Sequence, residues 1–238
     1  MIAELILKFT IYSFLGWLCE TVYCSVGQRR FVYRGFLNGP VCPIYGFGAL
    51  LVLFFLMDVK DNLLALFTAG MVVTSTLEYL TSFLMEKLFH AKWWDYSNRP
   101  FNLHGRVCLL NSVLFGLMAV LLAHFVDPAV DRLIGRLPAW LLPWAAGVLL
   151  VLFVLDTVVS VCAALHLDAR LRELQAVTEA FMEGKRKELQ GKRSALQTRL
   201  LKAYPNLHSL KYDERLQELR QALRRKKEER KKNRKKGK

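Results

Sequence analysis

Apolar residues fill the first two thirds of the chain in five runs, and the polar residues between them are gathered into short groups. The first run, about 2–26, exceeds the ~20 residues that cross a bilayer as a helix, with Glu20 near its far end. It is followed by GQRRFVYRGFLNGPVCPIYGFG, basic at first and then crowded with Gly35, Gly39, Pro40, Pro43, Gly46 and Gly48, and the apolar run beyond it ends at Met57. This predicts a short, broken second span whose entry lines a cavity, because helix interruptions at membrane depth survive where protein or water satisfies the freed backbone groups. A loop with Pro at the helix start is the plainer reading of the same residues. Asp58 to Asn62 is a tight polar turn, and the third run extends from Leu63 to about Met85 with Glu78 inside it.

A loop from Glu86 to Arg106 holds Trp93, Trp94, Asp95 and Tyr96. The fourth run covers about 107–126, where Asp127-Pro128 predicts a clean stop, and the fifth covers about 140–165 and contains Asp156. The expected fold is an all-α integral membrane protein with five transmembrane helices over residues 1–165. Beyond it, Leu167, Leu171, Leu174 and Phe181 continue one helical face, Tyr204-Pro205-Asn206 breaks it, and Tyr212, Leu216, Leu219 and Leu223 restart it. That spacing predicts a cytoplasmic amphipathic helical hairpin over 166–223. Residues 224–238, RRKKEERKKNRKKGK, contain no apolar side chain and are expected to be a disordered basic tail.

Charge divides the chain at the same place. A mean hydropathy of +0.23 coexists with a formal charge of +14. Residues 1–165 carry eleven Lys/Arg against ten Asp/Glu, whereas 166–238 carry 23 against ten. Counted loop by loop, Lys/Arg number three, one, four and two, and the tail follows with 23. The positive-inside rule therefore places loops one and three and the tail in the cytoplasm, with the N-terminus outside, the orientation that an odd number of spans also requires. The first apolar run lacks the basic start and small-residue cleavage site of a secretory signal and is expected to remain as a span of the cell membrane.

Within that orientation the intramembrane polar groups lie toward one side. Glu20, Glu78 and Asp156 fall in cytoplasmic halves of their spans, and Asn38 and Asn111 begin spans that enter from the cytoplasm. Glu78 shares a helical line with Thr68, Ser75 and Ser82. An unpaired, ionised carboxylate in the hydrocarbon costs ~2.5–3.5 kcal/mol on insertion scales, so each acid calls for a partner, a proton or water. Arg34 and Arg106 at cytoplasmic helix ends, and Tyr33, Tyr45, Tyr79 and Asn111 as hydrogen-bond donors, are the available partners. A cytoplasm-facing polar chamber is the economical expectation for Glu78, Glu20, Asp156, Arg34, Asn38, Tyr45, Arg106 and Asn111. For Glu78 itself two readings stand: a polar clamp between helices, or a functional acid. Trp93, Trp94 and Tyr96 fit either an aromatic belt at the interface or a ligand-stacking group with Asp95 between them.

Several chemistries have no sequence support. The five cysteines form no CxxC pair, and His90 and His104 lie fourteen residues apart, so neither a disulfide framework nor a metal site is expected, and no cofactor is called for. No GxxxxGK[ST], HExxH or GxSxG occurs. The chain is not its own ATPase, and it shows no protease or hydrolase motif. The tail is expected to meet anionic lipid headgroups, since juxtamembrane Lys/Arg contribute ~1 kcal/mol each there. Nucleic acid fits less well, because no aromatics are interleaved for base stacking.

The segments YSFLGWLCETVYCS, RGFLNGPVCPIYGFGA, TLEYLTSFLMEKLF, WWDYS and FNLHGRVCLLNSVLFG, in this order, closely resemble the bacterial membrane-protein family described as putative ABC-transporter type IV, the CmpB-like permeases. The resemblance covers roughly residues 9–165 and is looser around Tyr204-Pro205-Asn206-Leu207. It implies a permease-like component of a transport system that works with a separate ATPase subunit, and it assigns no residue a role. Beside it stand an intramembrane enzyme acting on a lipid or isoprenoid, with Glu78 or Glu20 as proton donor near Trp93 and Trp94, and a membrane scaffold or sensor whose basic hairpin binds a partner.

Overall fold

The structure, a computed structural model, describes residues 1–180 and the isolated positions 208, 209, 217 and 221. The expected break at Tyr204-Pro205-Asn206, most of the expected 166–223 hairpin and the basic end 224–238 lie outside the described residues. In order, the elements are α1 (Ile2–Gln28), α2 (Pro43–Phe55), a short 3₁₀ turn, α3 (Leu63–Phe89), β1 (Ala91–Lys92), β2 (Asn102–Leu103), β3 (Val107–Cys108), α4 (Leu109–Leu121), a π-helical turn (Leu122–Val126), α5 (Asp127–Gly135), α6 (Leu141–Ala180) and β4 (His208–Ser209). Four helical stretches, Ile2–Gln28, Leu63–Phe89, Leu109–Gly135 and Leu141–Leu167, are long and apolar enough to cross a membrane. At 1.5 Å per residue each is about 40 Å long, more than the ~30 Å hydrocarbon layer.

The chain divides into two compact units, Met1–Leu84 with Trp94–Val161, and Met85–Trp93 with Cys162–Lys238. In the second, β1 pairs antiparallel with β4, Ala91 opposite Ser209 and Lys92 opposite His208, and Trp93 packs edge-on against Phe89.

The first unit is built on close helix approaches at small residues, the usual means of tight packing where lipid removes the hydrophobic drive between helices. Helix α2 lies antiparallel to the N-terminal half of α1: a Cβ on Gly16 would fall inside the Tyr45 side chain, and one on Gly46 would strike Ser13 and Phe9. The Phe9 and Phe47 rings meet edge to face at 4.9 Å. Leu7, Tyr12, Ala49, Val130, Ile134 and Ala146 close the core there. A second core joins α2, α3 and α4 through Val52, Leu66, Ala119 and Ala123. Gly70 lies against Ala119 and Gly116 against the Phe67 carbonyl, while Ser75 Oγ donates to Ser112 Oγ at 2.7 Å.

Three features depart from the sequence reading. Helix α2 has 13 residues, about 20 Å, and does not match the layer by itself. Asp127-Pro128 does not stop the fourth helix, which continues to Gly135. Proline carries no N–H to give the preceding turn, and here the helix widens into the π turn Leu122–Val126 just before it, so Pro128 sits in the first turn of α5. The expected loop before the fourth span contains a hairpin, Asn102 opposite Cys108 and Leu103 opposite Val107. Asn102 organises it: Nδ2 donates to the carbonyls of Ser97 and Arg99, and Oδ1 accepts from Gly105 N–H. Gly105 stands at φ 69°, which suits a residue without Cβ.

Candidate functional site

Between α1 and α2 the chain does something a simple hairpin loop would not. It turns at Arg29 and runs back along the C-terminal half of α1 in extended form. Val32 N–H reaches Ser25 Oγ at 3.0 Å, Arg34 reaches Glu20, Gly35 lies beside Trp17, and Cys42 N–H ends on the Ser13 carbonyl at 2.9 Å. From Ser13 to Gln28 is about 22 Å along the helix, so α2 begins at the middle of α1 rather than at its end. The Gly and Pro residues of 35–43 prevent helix formation there, and their freed backbone groups need partners inside the protein.

Asp156 supplies them. Its two carboxylate oxygens accept from the backbone N–H groups of Asn38 at 2.9 Å and Gly39 at 2.7 Å, with Ser160 Oγ adding a 3.3 Å bond from the next turn of α6. The Asn38 carbonyl accepts from the Tyr33 hydroxyl at 2.8 Å. Asp156 and Asn38 are thus a clamp that ties the extended segment to α6. A carboxylate whose two oxygens each receive a backbone N–H is held in one orientation by charge-assisted bonds, as a structural tie requires.

Glu20 is engaged as well. Its Oε1 accepts from Arg34 Nε at 3.1 Å and Nη2 at 3.0 Å, and Oε2 faces the Cys42 thiol at 3.7 Å. The pair is largely removed from solvent, with side-chain exposures of 15% for Arg34 and 23% for Glu20.

Glu78 is different. It is 5% exposed, the Tyr96 hydroxyl donates to Oε1 at a long 3.4 Å, and Oε2 is buried without a hydrogen-bond partner among the described residues. Burial raises the Tyr96 phenol far above its ordinary range, and the charge of Glu78 adds to the shift, so Tyr96 remains a neutral donor. The Tyr45 hydroxyl lies within electrostatic reach of Glu20, Cys42, Tyr96 and Glu78, and Glu20 acts on Glu78. Glu20, Cys42, Tyr45, Glu78 and Tyr96 therefore gather from α1, the extended segment, α2, α3 and the loop before α4.

Other residues singled out by sequence are placed elsewhere. Arg106 lies over the rings of Tyr79 and Phe83 at 5.3 and 5.5 Å, a cation–π arrangement, and its carbonyl accepts from Trp94 Nε1 at 3.0 Å. Asp95 folds its own loop, accepting from the backbone and hydroxyl of Ser97. Trp93 belongs to the second unit. Asn111 is half-buried in the first turn of α4, next to the Ser112 that bonds Ser75. Thr68 leaves the expected polar line: it is exposed and returns its hydroxyl to the Leu64 carbonyl, while Leu66 and Gly70 hold the inward positions at that level.

A second polar cluster has no counterpart in the sequence reading. Lys8 Nζ lies 2.7 Å from both Asp127 and Asp131, and the Tyr12 hydroxyl donates to Asp127 at 2.5 Å. Asp127 is 7% exposed. The signal for it is Lys8, a lone cation inside an apolar run, which calls for an acid as surely as Glu78 calls for a cation. Cys42 carries a fainter signal, since it sits between the two prolines that end the extended segment.

A family model described as Putative ABC-transporter type IV matches residues 7–161. No curated protein and no solved structure matches the chain.

Proposed function

The chain belongs to the Putative ABC-transporter type IV family, and from that premise we propose that it is the permease-like membrane component of a transport system, with its solute site at Glu78. The observation that carries this reading is the Glu78 carboxylate, nine-tenths buried with one oxygen unpartnered among the described residues, on a helix whose Thr74 and Leu77 lie against Gly48 of α2. Discontinuous segments such as the extended chain leading into α2 place backbone and side-chain polar groups at membrane depth, where a solute can replace their hydration.

In this reading the extended segment and α2 together make one crossing, since the segment covers the C-terminal half of α1 and α2 the N-terminal half. That gives five crossings, an external N-terminus and a cytoplasmic tail, in keeping with the loop charges. A separate ATPase drives the cycle from the cytoplasmic side, and the basic tail lies against anionic headgroups.

Purification of the full chain from a detergent extract of its native membrane tests the assignment. Retention of a separate ATPase whose turnover falls when Glu78 is changed to Gln, at normal yield of the membrane protein, is the expected result. No ATPase, together with a tightly held lipid or isoprenoid, would overturn it in favour of an intramembrane enzyme.

A further inference from the structure

The cations that could neutralise the buried acids of the first unit are already engaged, and none is engaged by Glu78. Lys8 pairs with Asp127 and Asp131, and Arg34 with Glu20. Arg106 stands over the Tyr79 and Phe83 rings, with Nη1 at 3.5 Å from the Tyr79 hydroxyl. Glu78 makes no ion pair among the described residues, and its neighbours Glu20, Cys42, Tyr45 and Tyr96 carry no positive charge between them. A carboxylate in a low-dielectric interior calls for a partner, a proton or water, and at 5% exposure Glu78 has little access to water, which leaves a proton or a bound cation.

We propose that Glu78 is an exchange site at which a proton and one monovalent organic cation of the primary ammonium class replace each other. The inference rests on the reading of Glu78 as the solute site and names the solute's chemistry. An anion would meet the Glu78 carboxyl with no cation paired there among the described residues to receive it, since Arg34 is held by Glu20. Divalent metals take several oxygen or mixed ligands, and no group of three or more His, Cys, Asp or Glu is placed to hold one among the described residues. An ammonium group instead needs one counter-charge and acceptors for its N–H bonds, and the unpartnered Glu78 Oε2 supplies both, with the Tyr96 phenol oxygen beside Oε1. The exchange balances: the proton leaves the Glu78 carboxyl as the ammonium arrives to pair with the carboxylate, so the site is electrically neutral in either state.

A hydrophobic carbodiimide, which reacts with protonated carboxyls in apolar surroundings, tests this on the full chain in detergent, with the modified residue located by mass spectrometry. Glu78 should be labelled and Glu20, held by Arg34, should not. Propylammonium should slow labelling of Glu78 several-fold, while equal concentrations of propanol or propanesulfonate leave it unchanged. Propylammonium should also raise the melting temperature of the parent and not of Glu78→Gln. Labelling indifferent to propylammonium, or equal protection by propanol, overturns the proposal. A parent neither labelled at Glu78 nor stabilised by propylammonium overturns it as well. If Glu78→Gln lowers the turnover of a co-purified ATPase while propylammonium has no effect, the transport reading stands and the cationic solute does not.

Discussion

Helix α1 carries two polar clusters, about 18 Å apart from Lys8 to Glu20, and they follow opposite rules. At the Lys8 end every carboxylate has a partner: one ammonium bridges two carboxylates, and a buried tyrosine caps the deeper of them. At the other end Glu20 is answered by Arg34, but Glu78 on α3 keeps an oxygen without a hydrogen-bond partner among the described residues. The first arrangement fixes helix positions. The second is the one to which something can bind, because a site whose groups are all satisfied internally offers nothing to a ligand.

If this contrast is right, substitutions at the satisfied end should cost stability and those at Glu78 should cost function. The largest effect is expected for Lys8→Met, which strands a buried Asp127 and should lower unfolding stability in detergent by about 3–5 kcal/mol. The double variant Lys8→Met/Asp127→Leu, which removes the pair together, should regain more than half of that loss. Failure to regain it would mean that the cluster does more than hold α1 to α5.

Asp156→Ala should cost less, about 1–3 kcal/mol, because two backbone N–H groups lose their acceptor. Hydrogen exchange should rise at Asn38 and Gly39 before it rises elsewhere in the first unit. Unchanged protection there would remove Asp156 from the role of clamp.

Arg34→Gln is expected to cost about 1.5 kcal/mol through loss of a charge-assisted bond to Glu20. Its sharper consequence is chemical: Glu20, left without its cation, should become reactive toward the carbodiimide that in the parent finds only Glu78. Continued inertness of Glu20 would show that burial rather than pairing protects it.

Glu78→Gln should move stability least, within about 0.5 kcal/mol or in the stabilising direction, since Gln keeps the size and hydrogen bonding of a group that makes no ion pair among the described residues. Thermal unfolding should match the parent while partner ATPase turnover falls. A large destabilisation would place Glu78 with the clamps and erase the contrast between the two clusters.

The existence of the long helices is legible in the sequence. In lipid every backbone N–H and C=O must be satisfied locally, so a run of apolar residues such as 63–77 has little choice but to be helical. For the same reason the acid that follows this run within one helix, Glu78, stands out by its position alone, and the Gly and Pro residues between Gly35 and Gly48 announce an interrupted segment. The continuation past Pro128 is not legible, because a π turn can accommodate the missing donor and local sequence does not say whether neighbouring helices will support it.

Pairing belongs to the tertiary structure alone. Asp156 meets Asn38 across 118 residues of sequence and Lys8 meets Asp127 across 119. Hydropathy and periodicity report how each segment satisfies its own backbone and which face it turns inward. They hold no record of which distant segment supplies the partner for a buried charge. Packing makes that choice where Gly16 and Gly46 draw α2 against α1 and Gly70 and Gly116 draw α3 against α4. Those approaches bring cations to Glu20 and Asp127, backbone N–H groups to Asp156 and, among the described residues, no cation to Glu78.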